Sequence, residues 1–201
     1  MVRLRPFQPA DLQALYRICL LTGDSGADAS PLHSDPHLVG HIYAAPYGVL
    51  EPEHVLVVEA DGELAGYLVG THDTAAFEQR LAQQWWPRLQ EQYRRADLSA
   101  LTPVDRLRLA SINQPDHAPA DLVARFPAHI HMNLLPQLRG QGIGSKLLAR
   151  WIAEARAANV GGIHLGANSA NAAGIAFWTK SGFEPVRTDG RTAWFGMALD
   201  R

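Results

Sequence analysis

The sequence predicts a mixed α/β fold whose central sheet is largely antiparallel but carries one parallel β-α-β unit. Three observations lead there. In "HVLVVEADGELAGYLVGTHDT", residues 54–74, two β-rich runs flank Asp61-Gly62, a dipeptide suited to a tight hairpin turn. In "AHIHMNLLP", Ile130, Met132 and Leu134 alternate with His129, His131 and Asn133, the period of a strand. That strand runs into glycines, a long amphipathic stretch and a second short β run, "GGIHLGAN", which is the order of a β-α-β crossover.

The remaining elements follow in chain order. "VRLRPF" alternates and reads as a first strand. "PADLQALYRICLLTG" reads as a helix with Pro9 in its first turn, apolar residues at 12, 15, 16 and 19, and Gly23 as a stop. Residues 24–53 form a polar loop with "HLVGHIYAAPY" as a short helix inside it. From 75 to 127 a helical insertion is expected, with Pro87 kinking or restarting its first helix and "SINQPDHAPADL" irregular. Trp85 and Trp86 are adjacent, point about 100° apart on a helix, and so should not share one core face. A helix over 142–159 places Ile143, Leu147, Leu148, Trp151, Ile152 and Ala155 on one side. "AAGIAFWTKSGF" is a short helix and "TAWFGMALD" a last strand, which gives β-α-(α)-β-β-insert-β-α-β-α-β in one domain spanning 1–201.

Composition narrows the function classes. The 201 residues carry a formal net charge of −2, so no global field recruits nucleic acid or an anionic membrane. No apolar run approaches the roughly 20 residues that cross a bilayer, and the N-terminus lacks the apolar core of a signal peptide. A lone cysteine, Cys19, excludes an internal disulfide and fits a reducing, cytoplasmic setting. Its helical spacing with Leu12, Leu15 and Tyr16 makes it a buried structural thiol.

The stretch "QLRGQGIGSKLLARW" carries the chemistry. A helix start has backbone N–H groups with no intrahelical partner, and the helix dipole favours an anion there. Glycines let several amides converge on phosphate oxygens. An ordinary glycine-containing turn is the plainer reading. Neither Gly-x-x-x-x-Gly-Lys-Ser/Thr nor Gly-x-Gly-x-x-Gly is present, since Lys146 follows Ser145 and Gly140, Gly142 and Gly144 are each two apart. What the stretch does match is Arg/Gln-x-x-Gly-x-Gly/Ala, at Arg139, Gly142 and Gly144. Downstream, "NAAGIAFWTKSGF" follows the pattern Asn-x-x-Ala-x-x-x-Tyr-x-x-x-Gly-Phe from Asn171 to Phe183, with Gly174 in the alanine place and Trp178 in the tyrosine place. Together they resemble the coenzyme A-binding motifs of the GCN5-related N-acetyltransferase (GNAT) superfamily. "TGDSGADAS", "GHIYAAPY" and "WWP" further resemble the acetyltransferase-like domain of protein O-GlcNAcase and its stand-alone bacterial relatives.

The resemblance implies a GNAT-like fold, acetyl-CoA as cosubstrate with no metal, and transfer to a primary amine by direct attack in a ternary complex. The strand ending at Leu134–Leu135 would splay from its parallel neighbour and pair with the pantetheine arm. Backbone amides of Arg139, Gly140, Gln141, Gly142, Ile143, Gly144 and Ser145 would hold the pyrophosphate. Asn171 would reach the pantetheine, and Phe177 and Trp178 would line the cofactor wall. The family often supplies a glutamate base on the strand before the glycine turn. This strand offers His129, His131 and Asn133 instead, so His131 is the candidate base, against a backbone-bonded or solvated histidine. Asp73 with His72 is a second candidate. Trp178 stands where the family commonly has the acid that protonates the departing thiolate, and an indole N–H is no practical acid. Asp24, Asp28, Tyr43 and Tyr47 would contact the acceptor, a small-molecule amine or exposed protein amine. No nucleic-acid or membrane partner is implied, and a homodimer is left open. The alternative is a non-catalytic acyl-CoA-binding or protein-interaction module.

Overall fold

The computed structural model describes residues 1–199. Its strands are β1 (Val2–Pro6), β2 (Leu56–Ala60), β3 (Glu63–Thr71), β4 (Ala128–Leu134), β5 (Gly162–Asn168), β6 (Glu184–Asp189) and β7 (Thr192–Ala198). They form one sheet in the order β1-β2-β3-β4-β5-β7-β6, with β4 and β5 parallel and every other neighbouring pair antiparallel. The helices are α1 (Leu12–Leu20), α2 (Leu38–Tyr43), α3 (Ala45–Leu50), α4 (Thr74–Arg80), α5 (Trp86–Tyr93), α6 (Pro103–Asn113), α7 (Ala120–Arg125), α8 (Ile143–Ala157) and α9 (Ala172–Lys180).

The alternation along residues 128–134 decides the layers. His129, His131 and Asn133 face α1 and the segments after it: Asn133 Nδ2 donates to Thr22 Oγ1 at 2.6 Å, and His129 meets Tyr47 and Thr74. Met132, on the opposite face, meets the start of α8. Trp151 of α8 is fully buried there, and its ring lies over Gly70 of β3. A Cβ at Gly70 would sit 2.5 Å from the His129 carbonyl and 2.9 Å from Trp151, so the β3–β4 contact excludes a side chain. Asp61 (φ 52°) and Gly62 (φ 87°) both adopt positive φ and turn β2 into β3 as the dipeptide predicts.

Two expectations need correction. Glu184–Asp189 is a strand that no sequence pattern announces. It is the outer edge of the sheet and exposed along its whole length, so it carries no apolar alternation, and Pro185 sits at a shift in its pairing with β7. Within the insertion, the tract expected to be irregular contains the end of α6. Its start is marked by a capping box in which Thr102 and Asp105 each bond the other's amide, with Pro103 at the first helical position. Trp85 and Trp86 are both buried but on different sides, Trp85 against His41 and Trp86 beside Pro115 and His117, as their spacing implies. A π-helical turn over Leu81–Trp85 separates α4 from α5, which restarts with Pro87 in its first turn. Trp85 Nε1 donates to the His41 carbonyl of α2 at 2.9 Å.

Candidate active site

β4 and β5 pair only at their beginnings, Ala128 with Ile163 and His129 with His164, and then separate. The Leu135 amide donates to Ala65 at 2.8 Å, on the β3 side. Peptide groups alternate in direction along a strand, so those of Leu134 and Met132 are turned toward β5 and the gap. The predicted opening is therefore present, but Leu135 spends its amide elsewhere. Leu134, whose carbonyl accepts Arg139 Nε at 3.3 Å, is the residue facing it.

The glycine turn closes the wide end of this gap. Gly140 and Gly142 have φ of 73° and 72°, and Gly142 caps α8. A Cβ at either would meet nothing within 4 Å, so backbone conformation and not space calls for glycine there. Gly144 differs: its Cβ would lie 3.2 Å from Phe177 and 3.3 Å from Met132. Among the described residues, the amides of residues 140–145 have no carbonyl partner, and Lys146 is the first to bond back, to Gly142 at 3.1 Å. Ile143 is buried and anchors the turn, whereas Gln141 and Ser145 are exposed. The result is a row of free N–H donors at the positive end of α8, beside an open strand edge.

α9 supplies the opposite wall. Asn171 Oδ1 caps this helix by accepting from the Gly174 amide at 2.9 Å. A Cβ at residue 174 would stand 2.6 Å from Asn171 Nδ2, which accounts for glycine in place of alanine. Phe177 is half-buried against Gly144, whereas Trp178 is buried edge-on between Phe177 and Phe183, with ring centroids 4.9 and 5.4 Å away.

On the other face of the sheet lies an aromatic and histidine cluster. Thr74 Oγ1 donates to the Pro127 carbonyl at 2.7 Å, so it accepts from His129 Nδ1 at 2.8 Å. That leaves His129 Nε2 with its lone pair, and the Tyr47 hydroxyl donates to it at 2.6 Å. Burial, with His131 and His164 beside it, holds His129 far below the ordinary histidine pKa, in keeping with a neutral, fixed tautomer. His131 stands next to it, with Tyr43, Tyr47 and His129 rings centred 5.9, 5.7 and 5.9 Å away. Burial first, then His164, lowers its pKa to about 4, so its imidazole is neutral at pH 7. Cys19 lies in the core under this face, and burial raises its thiol to about 11, which suits packing and not nucleophilic attack.

The model of the acetyltransferase (GNAT) family matches residues 28–183. The chain belongs to that family. It is similar to the crystal structure of SsHAT, with a TM-score of 0.90, 30% identity, and coverage of 100% of this chain and 99% of that one. Protein O-GlcNAcase of Rattus norvegicus is 24% identical over 189 residues, which are 93% of this chain and 20% of that protein. The chain thus spans about a fifth of that curated relative's length. The structure of yncA from Salmonella typhimurium with its cofactor acetyl-CoA shares the fold, at a TM-score of 0.57, 18% identity, and coverage of 99% and 94%.

Within this GNAT chain several expected site residues are employed otherwise. The Arg139 guanidinium bonds the Gly26 carbonyl as well as Leu134, tying the 24–28 loop to the glycine turn. Asp73 is exposed and caps α4 by accepting from the Ala76 amide at 3.0 Å, while its neighbour His72 stacks on His54 at 3.9 Å. Asp28 is exposed and accepts from the Ser30 amide at 2.8 Å, and Asp24 pairs through its backbone with Ala27. Short side chains in loops commonly bind adjacent backbone, as those of Asp28 and Asp73 do here, whereas only the backbone of Asp24 is so engaged. Tyr43 and Tyr47 pack against His131, from α2 and α3. Met132 lies beside the glycine turn and Arg108 on Tyr43, and sequence reasoning singles out neither. The period-2 pattern already puts Met132 opposite the histidines, but nothing local marks Arg108. Among the described residues no helix is long and apolar enough to cross a membrane, and no group of His, Cys, Asp and Glu is placed to hold a metal ion.

Proposed function

We propose that the chain is one acetyl-CoA-dependent N-acetyltransferase domain that moves an acetyl group to a primary amine by direct attack in a ternary complex. The observation that carries this is the row of unpaired amides from Gly140 to Ser145 at the mouth of the β4–β5 gap. Free N–H groups at a helix start suit a pyrophosphate, and the backbone of Met132 and Leu134 suits the amide-bearing pantetheine arm as an added strand. The thioester would then lie near the point where β4 and β5 part, within reach of the histidine face. Phe177 shapes the wall, and Asn171 positions it by capping α9.

In the reaction the amine nitrogen forms a bond to the acetyl carbon, the carbon–sulfur bond breaks, and coenzyme A leaves as a thiolate. One N–H proton must leave the nitrogen and the thiolate must gain one. His131 is the proton acceptor in this reading, since it is neutral at pH 7 and adjoins Tyr43 and Tyr47. Its low pKa makes it a weak base, and Trp178 provides no acid. A thiolate tolerates that loss better than a stronger base would.

These two features favour a second reading, a module that binds acyl-CoA without transferring the acyl group. Calorimetry with acetyl-CoA followed by thiol release over a panel of amines separates the readings. Binding with turnover supports the transferase, and binding with no turnover on any amine supports the module. Absence of binding refutes both.

A further inference from the structure

Arg108 of α6 reaches from the insertion to the histidine face, where its guanidinium lies over the Tyr43 ring at 5.4 Å and Nη1 donates to the Tyr43 hydroxyl at 3.1 Å. Its Nε is buried without a hydrogen-bond partner, and among the described residues no carboxylate pairs with it. The acidic groups nearest in sequence or in field are committed elsewhere. Asp105, one turn earlier on α6, is bound by His33 at 2.6 Å and by the Ser34 hydroxyl and amide at 2.6 and 2.8 Å. Glu78, whose charge is felt by Tyr47 and His164, is held by His117 at 2.7 Å and the Ala118 amide at 3.2 Å. Beyond Tyr43 lies His131, and in the core beneath them the Tyr67 hydroxyl is also buried with no partner of acceptable geometry, beside Cys19.

The acceptor side of the site therefore presents a cation and a buried hydroxyl able to donate, while Asp28 binds the Ser30 amide of its own loop and Asp24 is exposed. A buried donor left unmatched is costly, and a guanidinium is shaped to grip a carboxylate with two parallel bonds. We propose that the acceptor is an amine that also bears a carboxylate, with the carboxylate held by Arg108 and the amine turned toward His131. This inference rests on the acetyltransferase reading. An amino carboxylate would bring its own anion to the cation and need no acidic residue for recognition.

The test uses ω-amino carboxylates of increasing chain length, each matched with the alkylamine of equal length, and acetyl-CoA. Thiol release should favour the carboxylate of at least one matched pair by about tenfold or more in kcat/KM, the effect of one charge-assisted hydrogen bond. Arg108→Gln should erase that preference, and Arg108→Lys, which keeps the charge but not the fork, should restore part of it. Equal rates for both series, or a preference that survives in Arg108→Gln, overturns the proposal. If no amine turns over, the same pairs are titrated calorimetrically against the protein saturated with coenzyme A. Carboxylate-dependent binding lost in Arg108→Gln then supports the anion site, and its absence overturns it. Coenzyme A titrated alone reports separately on the cofactor reading, so failure of one is distinguishable from failure of the other.

Discussion

Replacing Gly142 with alanine tests the amide cradle with the least added bulk. A Cβ there meets nothing within 4 Å, so the change introduces no clash, only an L-residue at φ 72°. That conformation costs a non-glycine residue about 1–2 kcal/mol. In a domain of this size each kcal/mol lowers Tm by about 2–4 °C, so a drop of a few degrees is expected. If the turn relaxes instead toward negative φ, the amides of Ile143, Gly144 and Ser145 lose their common aim. A charge-assisted hydrogen bond contributes about 1.5–3 kcal/mol, so the loss of one such bond weakens coenzyme A binding by roughly tenfold to more than a hundredfold. Calorimetry with coenzyme A and with pantetheine, which lacks the pyrophosphate, locates the loss. Coenzyme A should weaken while any pantetheine binding is unchanged. An unaltered Tm together with unaltered coenzyme A affinity would refute the argument from φ, and an equal loss for both ligands would refute the assignment of these amides to the pyrophosphate.

Four further substitutions probe the same geometry. His131→Ala should slow thiol release. Because the His131 pKa lies at about 4, the wild-type rate should show no inflection near pH 6.5 that disappears in the variant. Trp178→Tyr should raise the rate if protonation of the thiolate is limiting, while the smaller ring between Phe177 and Phe183 costs about 1–2 kcal/mol in Tm measurements; an unchanged rate removes the missing acid as the bottleneck. Acid should destabilise the fold through His41, which is buried with Nε2 unpaired and its pKa lowered to about 4 from 6.5. The unfolded chain takes up this proton below pH 6.5 and the folded one only near pH 4. The contribution of His41 to stability is therefore full above 6.5 and falls by about 3 kcal/mol on the way down to 4, on top of the losses from the other buried histidines. Urea melts of His41→Gln should show a correspondingly smaller loss over that window, and an identical one would contradict the burial argument. Gly70→Ala should cost about 1–3 kcal/mol or more in the same melts, since its Cβ would lie 2.5 Å from a backbone oxygen of β4.

Much of the frame is legible locally because it depends on short-range rules. Asp61-Gly62 favours positive φ through its own short-range preference, and the alternation over Ala128–Leu134 sorts histidines from aliphatics before any partner is known. Glycines 140, 142 and 144 mark the start of α8, and Asn171 its counterpart at α9. The edge strand β6 escapes because a strand solvated on both faces has no periodic signature. Both tryptophans are buried because neighbours cover this helix on two sides, α2 over Trp85 and residues 115–117 beside Trp86.

The hairpin, the strand–turn–helix and the family motifs are written into the chain itself, since each is encoded by residues within one or two turns of one another. Which side chains serve the site is a matter of the folded arrangement. Arg139 meets Gly26, Tyr47 meets His129, and Arg108 meets Tyr43 across long stretches of chain. Whether a charged or polar group is free for a ligand depends on which distant donors and acceptors have already satisfied it. For Asp28 and Asp73 the answer lies in nearby backbone amides, and for Arg108 it lies in the want, among the described residues, of a carboxylate.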